Sequence, residues 1–237
     1  MDIKLDTYSF KARVLPVYLT LAPAVLLIAA LLPEGLELPL GGAAAIVFLP
    51  ISFFFSQIGA DFGKRLEKNL WLKWGGSPTT RFLRHENNGF NEITRSRIHD
   101  KLRALGLQVP TTEEQEKDEH AADKKYEACT EDLIRRTRDA KKFPLVFKGL
   151  TEYGFRRNLF GLKKLGVLLA AVGVVVLGWS TYSMWMRTDK PPSINIVIGI
   201  IEAGLLISWL VGVTEQTVKL AADRYARFLL EAALEQE

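Results

Sequence analysis

Four stretches of this chain, each about twenty residues long, carry almost no charge, and this pattern constrains the fold more than anything else in the sequence. They are 14–33, 39–58, 165–186 and 194–213. A helix rises about 1.5 Å per residue, so roughly twenty apolar residues match a hydrocarbon layer of about 30 Å. A water-soluble helix would interleave polar residues at helical period instead. The overall figures of 48% hydrophobic and 24% charged residues would suit a soluble domain, but they average over this segregation. The pattern predicts an all-α membrane protein with four transmembrane helices, arranged as two hairpins flanking a helical cytoplasmic domain. Residues 1–60 form the first hairpin, 61–164 the cytoplasmic domain, 165–213 the second hairpin, and 214–237 a cytoplasmic C-terminal helix.

Charge sets the expected orientation, because Lys and Arg are retained on the cytoplasmic side. The connection EGLE, with Glu34 and Glu37, has no basic residue, and the connection RTDKPPS has only Arg187 and Lys190. Beyond the outer ends lie Lys4, Lys11 and Arg13, then Lys64, Arg65 and Lys68. Arg156, Arg157, Lys163 and Lys164 precede the third block, and Lys219, Arg224 and Arg227 follow the fourth. Both termini and the central domain are therefore expected on the cytoplasmic face of the inner (plasma) membrane. Pro16, Pro23 and Pro50 would be costly in a soluble helix, whereas membrane helices tolerate them when neighbours satisfy the freed backbone groups. Tyr18, Trp179 and Trp185 read as interfacial or packing aromatics. Cys129 is the single cysteine, which excludes an internal disulfide and fits a reduced compartment. The first block lacks a small-residue cleavage pattern and leads at once into the second, as a retained hairpin would.

In the central domain, the second block is expected to continue as a helix through Phe62, Leu66 and Leu70 until Gly75 and Gly76 end it. After a turn at ENNGFN, Asn91 can cap a helix running through Ile93, Ile98, Leu102 and Leu105 to Gly106. Thr111 and Thr112, with Gln115 three residues after the second, suggest a capping box. The helix it opens starts acidic, with Glu113, Glu114, Glu116, Asp118 and Glu119, and ends basic, near Arg135, Arg136, Arg138, Lys141 and Lys142, as a helix dipole favours. Pro144 interrupts it, and a segment from Leu145 leads into the third apolar block.

No phosphate-binding glycine loop, zinc spacing or nucleophile elbow is present, so no catalytic residue, metal site or cofactor is assigned. GGSPT is a turn without the Lys-Ser/Thr of a phosphate loop. His85, His99 and His120 lack partner spacing and read first as surface or packing residues. Glu202 stands out near the middle of the fourth block, in IVIGIIEAGLLISWL. A charge at mid-bilayer costs about 2.5–3.5 kcal/mol, which surrounding Ile, Leu and Val can offset. Two readings stay open: Glu202 from several subunits lines a cation pore, or it is neutral and hydrogen-bonded to a neighbouring helix. Small residues at Gly166, Ala170, Gly173 and Gly178, and at Gly199, Ala203 and Gly204, allow close helix approach within one subunit or between subunits. Two hairpins leave no internal route, so a pore calls for a homo-oligomer. Arg81, Arg84, His85, Arg95, Arg97, Arg156 and Arg157, the last two beside Tyr153 and Phe155, are candidate ligand contacts. Arginine next to aromatics suits phosphates and bases. Lipid headgroups compete for Arg156, Arg157, Lys163 and Lys164, and charge pairs compete for Arg81 and Arg84.

Two stretches, WGGSPTTRFLR (Trp74 to Arg84) and YGFRRNLFGLKKLG (Tyr153 to Gly166), resemble signatures of a poorly characterised bacterial group of four-transmembrane proteins. The layout is similar to that of pore-forming membrane effectors of bacterial anti-phage systems, such as the Hailong membrane effector. The resemblance implies an oligomeric channel in the lipid bilayer. It also implies an oligonucleotide or cyclic-nucleotide ligand made by a nucleotidyltransferase-type partner. A non-conducting scaffold that recruits a cytoplasmic partner is the alternative.

Overall fold

The computed structural model describes residues 7–32, 42–86, 89–188 and 193–236, without the side chains of 42–51. Lys4, the connection at 34–37, the turn residues Asn87 and Asn88, and Lys190 lie outside the described residues. In chain order the helices are α1 (Thr7–Leu31, with a π-helical turn over Phe10–Val14), α2 (Gly42–Trp74), α3 (Pro78–Leu83), α4 (Glu92–Ala104) and α5 (Thr112–Lys117). They continue with α6 (Glu119–Arg136), α7 (Pro144–Gly161), α8 (Lys163–Thr188), α9 (Ser193–Gly212) and α10 (Glu215–Glu231). No strand occurs among the described residues, in agreement with the all-α expectation. Among the described residues, three helices, α1, α8 and α9, are long and apolar enough to cross a membrane. The remaining expected span falls at the start of α2, partly outside the described residues.

The chain divides into two compact units. One is apolar and drawn from 1–66 and 154–217; the other is polar and drawn from 67–153 and 218–237.

In the apolar unit, α8 packs against both α1 and α9. The α8–α9 contact has a seven-residue register. Gly166 meets Trp209, Gly173 meets Glu202, and Ser180 accepts a 3.3 Å hydrogen bond from the Asn195 amide. Each step of seven down α8 meets a step of seven up α9, as antiparallel helices do when one seam faces the other. Gly166, Ala170, Gly173 and Leu177 are buried along this seam, and the small residues let α9 seat its large side chains. Gly178 and Gly204 face open space and take no part.

A second seam explains a proline. Pro16 has no N–H to give the Ala12 carbonyl four residues earlier. Asn158 of α7, buried, donates its side-chain amide to that carbonyl at 2.7 Å. One turn before Asn158, Gly154 lies against Ala12 and Tyr8; one turn after it, Gly161 lies against the backbone of Gly63 and Phe62 on α2. At the end of α9, Lys163 donates to the carbonyls of Leu210 (3.1 Å) and Val213 (2.7 Å), which lie in the last helical turn and just beyond it.

The polar unit is built on a core of Leu83, Ile98, Leu102, Tyr126, Leu133, Leu229 and Leu230. Gly75 and Gly76, at φ +80° and +126°, end α2 as expected, and Ser77 then caps α3 with Pro78 in its first turn. Asn91 caps α4 as expected, but Ile93 is 75% exposed and outside the core. The capping box is one residue earlier than the sequence suggested. Thr111 pairs with Glu114, which frees Gln115 to turn inward. The long helix expected beyond it is broken at Asp118, whose side chain caps Ala121 and starts α6.

Gly161→Ala tests the second seam. An added Cβ would sit 2.9 Å from the Gly63 backbone nitrogen and 3.2 Å from the Phe62 carbonyl carbon, neither of which can swing aside. Alanine would gain about 1 kcal/mol of helix propensity, but overpacking against backbone costs about 1–3 kcal/mol. The full-length variant in detergent should therefore melt below the wild type by circular dichroism. A higher melting temperature would show that the helices do not meet there.

Candidate functional site

Glu202 has no exposed surface, and both carboxyl oxygens lack a hydrogen-bond partner. A Cβ added to Gly173 would lie 2.7 Å from its Cδ, so the carboxyl rests directly on the α8 backbone. On its own helix, Ile198 and Trp209 share its buried face together with Asn195. The structure thus places Glu202 within the helix packing of a single chain, in apolar surroundings where an unpaired charge would be costly.

The candidate ligand residues divide. Arg81 is 3.3 Å from Asp223. Arg84 grips Asp123 with two prongs, Nε to Oδ1 at 2.9 Å and Nη2 to Oδ2, while its Nη1 lies 3.0 Å from Glu119. That hydrogen bond to Asp123 raises the Arg84 pKa above its ordinary value, the charge of Glu119 adding to the effect. Both arginines therefore already hold carboxylates. A cleft of about 340 Å³ beside Arg84 is lined by Glu86, Gln115, Glu116 and Glu119, an acidic wall for an anionic ligand. His85 and Arg95 come together at a smaller cavity of about 160 Å³, with Glu92, Ser96, His99 and Arg103. Arg97 is exposed on α4, and Arg156 and Arg157 belong to the apolar unit. Arg157 donates to the Asn158 side-chain oxygen at 3.3 Å.

A polar network underlies that cavity. Gln115 Oε1 accepts from the Tyr126 hydroxyl (2.9 Å) and from the His85 backbone N–H (3.1 Å). The His85 ring N–H donates to the Pro110 carbonyl (3.0 Å), and the His99 ring N–H donates to the Leu83 carbonyl (2.8 Å). The two imidazoles meet edge to face, and His99 stacks on Tyr126. Burial pulls the His99 pKa down to about 4 and pushes Tyr126 up to about 12 and the Cys129 thiol up to about 11. Among the described residues, no group of three or more His, Cys, Asp or Glu could hold a metal ion.

No family model matches the chain, and neither a curated protein nor a solved structure does. The geometry gives each of the two signature-like stretches a structural role. In the first, Gly75, Gly76, Ser77 and Pro78 make the turn and cap, and Arg81 and Arg84 make ion pairs. In the second, Gly154, Asn158, Gly161, Lys163 and Gly166 are the contact residues of the two seams. Sequence reasoning did not single out Asn158 or the His99–Tyr126 stack, and it read Gln115 as a capping residue, not as the buried acceptor for Tyr126 and His85. The available signal for Asn158 was its spacing, one turn from a glycine on either side, together with a carbonyl freed by Pro16.

Two measurements follow. Arg84→Ala should destabilise the polar unit by about 1.5–3 kcal/mol, the range for hydrogen bonds to charged groups. Arg84→Lys should recover only part, since an ammonium cannot make the two-pronged contact. Thermal melts of the full chain check both, and an unchanged melt would leave Arg84 available to a ligand. For His99, the folded chain refuses a proton until about pH 4, whereas the unfolded chain accepts it near 6.5. Stability should therefore fall as pH drops through that window, by up to about 3 kcal/mol. His99→Phe should flatten this part of the pH profile, and an unaltered slope would assign it to other groups.

Proposed function

We propose that this chain is an integral membrane protein whose apolar units, assembled as a homo-oligomer, hold a gated cation path, with Glu202 as the group that binds the passing ion. The single observation carrying the proposal is the carboxyl of Glu202, fully buried and without a partner in an apolar helix seam. Ionisable residues in such surroundings are costly and are kept where ions or protons move. The outward faces support membrane insertion: Val175, Trp179, Ile200 and Val211 are all more than half exposed, with Trp179 at 71%, which suits lipid rather than water. With Glu202 buried against Gly173 such a path would be shut, and opening would require α9 to move off Gly173.

The polar unit is proposed as the control element on the cytoplasmic side, in line with the resemblance to anti-phage pore-forming effectors that respond to an oligonucleotide or cyclic nucleotide. The cavity that brings His85, Arg95 and Arg103 together is the part of it we assign to such a ligand. A scaffold is the second reading. It is favoured by Leu72 and Ile93 of the polar unit, apolar and 80% and 75% exposed, which could meet a partner protein.

The test is membrane potential in bacteria expressing the chain, followed with a voltage-sensitive dye beside an equally expressed Glu202→Gln variant. Depolarisation by the wild type and not by the variant is the expected result. Equal depolarisation by both would remove Glu202 from the path, and intact potential in both, at confirmed expression, would move the balance to the scaffold.

A further inference from the structure

We infer that the ion exchanged at Glu202 is a proton and not a metal cation; this rests on the gated-path reading and names its ion. Hard metal cations are held by shells of six or more oxygens, several of them usually water. Glu202 offers the two oxygens of one carboxyl group, has no exposed surface for a hydration shell, and joins no cluster of other ligating side chains among the described residues.

On α1 and α8, the helices seen packed against α9, the buried polar groups among the described residues are committed elsewhere. On α1 the buried face is Pro16, Val17, Thr20 and Pro23, and the Thr20 hydroxyl donates to the Pro16 carbonyl at 2.7 Å. On α8 it is Gly166, Ala170, Gly173 and Leu177, which have no polar side-chain atom. On α9 itself, Asn195 gives its amide to Ser180 and lies two helical turns away, about 10 Å. The only ammonium at this seam, among the described residues, is that of Lys163, which is bound to the carbonyls of Leu210 and Val213. No charged side chain among the described residues therefore faces Glu202 from α1 or α8.

A proton requires none of these ligands. It occupies one carboxyl oxygen as an O–H bond, removes the net charge from the apolar seam, and needs only the space of a hydrogen atom. Release breaks that O–H bond, leaves the electron pair on the carboxylate, and passes the proton to water admitted when α9 parts from Gly173. Uptake is the reverse, and no oxidant or co-reactant takes part. Gly173 is then a positioning residue, because any side chain there would meet the carboxyl at 2.7 Å.

Two measurements on the full chain in lipid vesicles test this. The first is the infrared difference between wild type and Glu202→Gln at neutral pH, with Glu202→Asp as the variant that keeps an acid. The second is flux into the same vesicles, read with a trapped pH dye for protons and with ion-sensitive dyes for sodium and potassium. We expect a protonated-carboxyl stretch in the wild type that is lost in Glu202→Gln, kept in Glu202→Asp, and shifted in deuterated water. We also expect proton uptake that Glu202→Gln reduces to the rate of empty vesicles, without alkali-cation flux.

Absence of that stretch, or a stretch that never responds to deuterated water, overturns the inference. Sodium or potassium flux lost in Glu202→Gln, with no such stretch, would keep the gated path and reject the proton. A deuterium-sensitive stretch with no flux of any ion would keep the proton-exchanging site and reject the path.

Discussion

The arrangement of the apolar unit depends on how closely α9 can approach α8, and that distance is set where the Glu202 carboxyl lies on Gly173. A side chain at residue 173 would drive the helices apart, and so would one at residue 166, where the Trp209 ring lies. Residues 166, 173 and 180 are small and fall on one seam because seven residues are close to two helical turns. The partners on α9 are an indole, a carboxyl and an amide, all larger and each with a polar atom. The seam thus seats polar atoms inside apolar helices by giving all of them space, and gives a partner to one of the two that stand opposite residues 173 and 180. Asn195 finds a partner in Ser180; Glu202 finds none. A packing built purely for stability would place a leucine there, since an unpartnered buried carboxyl only subtracts from it.

The second seam solves a different problem with the same means. Pro16 leaves the Ala12 carbonyl without its helical partner, and Asn158 supplies one from α7. The donor can reach the backbone because Gly154 and Gly161 let α7 lie close to α1 and α2. The proline, the asparagine and the glycines are therefore one device, and none of them is explained alone. A freed carbonyl in an apolar setting is costly, and a positioned side-chain amide removes that cost at a defined place in the chain.

Helical class, the ends of α2 and α4, and three of the four apolar blocks were legible because each rests on local signals: twenty uncharged residues, two glycines, an asparagine cap. Glu202 was legible as an anomaly by composition, but its burial within one chain was not, since the seven-residue match between α8 and α9 spans two helices. The capping box was displaced because Thr111 and Thr112 both fit the local pattern. The choice is made by the Gln115 side chain, which bonds to Tyr126 and His85 in the core. The break at Asp118 was missed for a similar reason, as the acidic-to-basic gradient across 113–142 suits one helix or two. The arginines were read as ligand contacts from their type and their aromatic neighbours, with charge pairs as the competing reading for Arg81 and Arg84. Their partners Asp123, Glu119 and Asp223 lie far along the chain and only the fold brings them close.

Those ion pairs bear on how the polar unit could respond to a signal. A phosphate that reached Arg84 would have to displace Asp123 and Glu119 and then lie against Glu86 and Glu116, so it would replace attractive contacts with repulsive ones. At the cavity of His85 and Arg95 the described lining sets Glu92 beside Arg95 and Arg103, and Arg103 also holds Asp100 at 3.2 Å. Binding there would act on His85, whose backbone N–H shares Gln115 with the Tyr126 hydroxyl, and through Tyr126 on the stack with His99 in the middle of the core. A ligand at this rim would thus reach the centre of the unit through two hydrogen bonds and a ring contact.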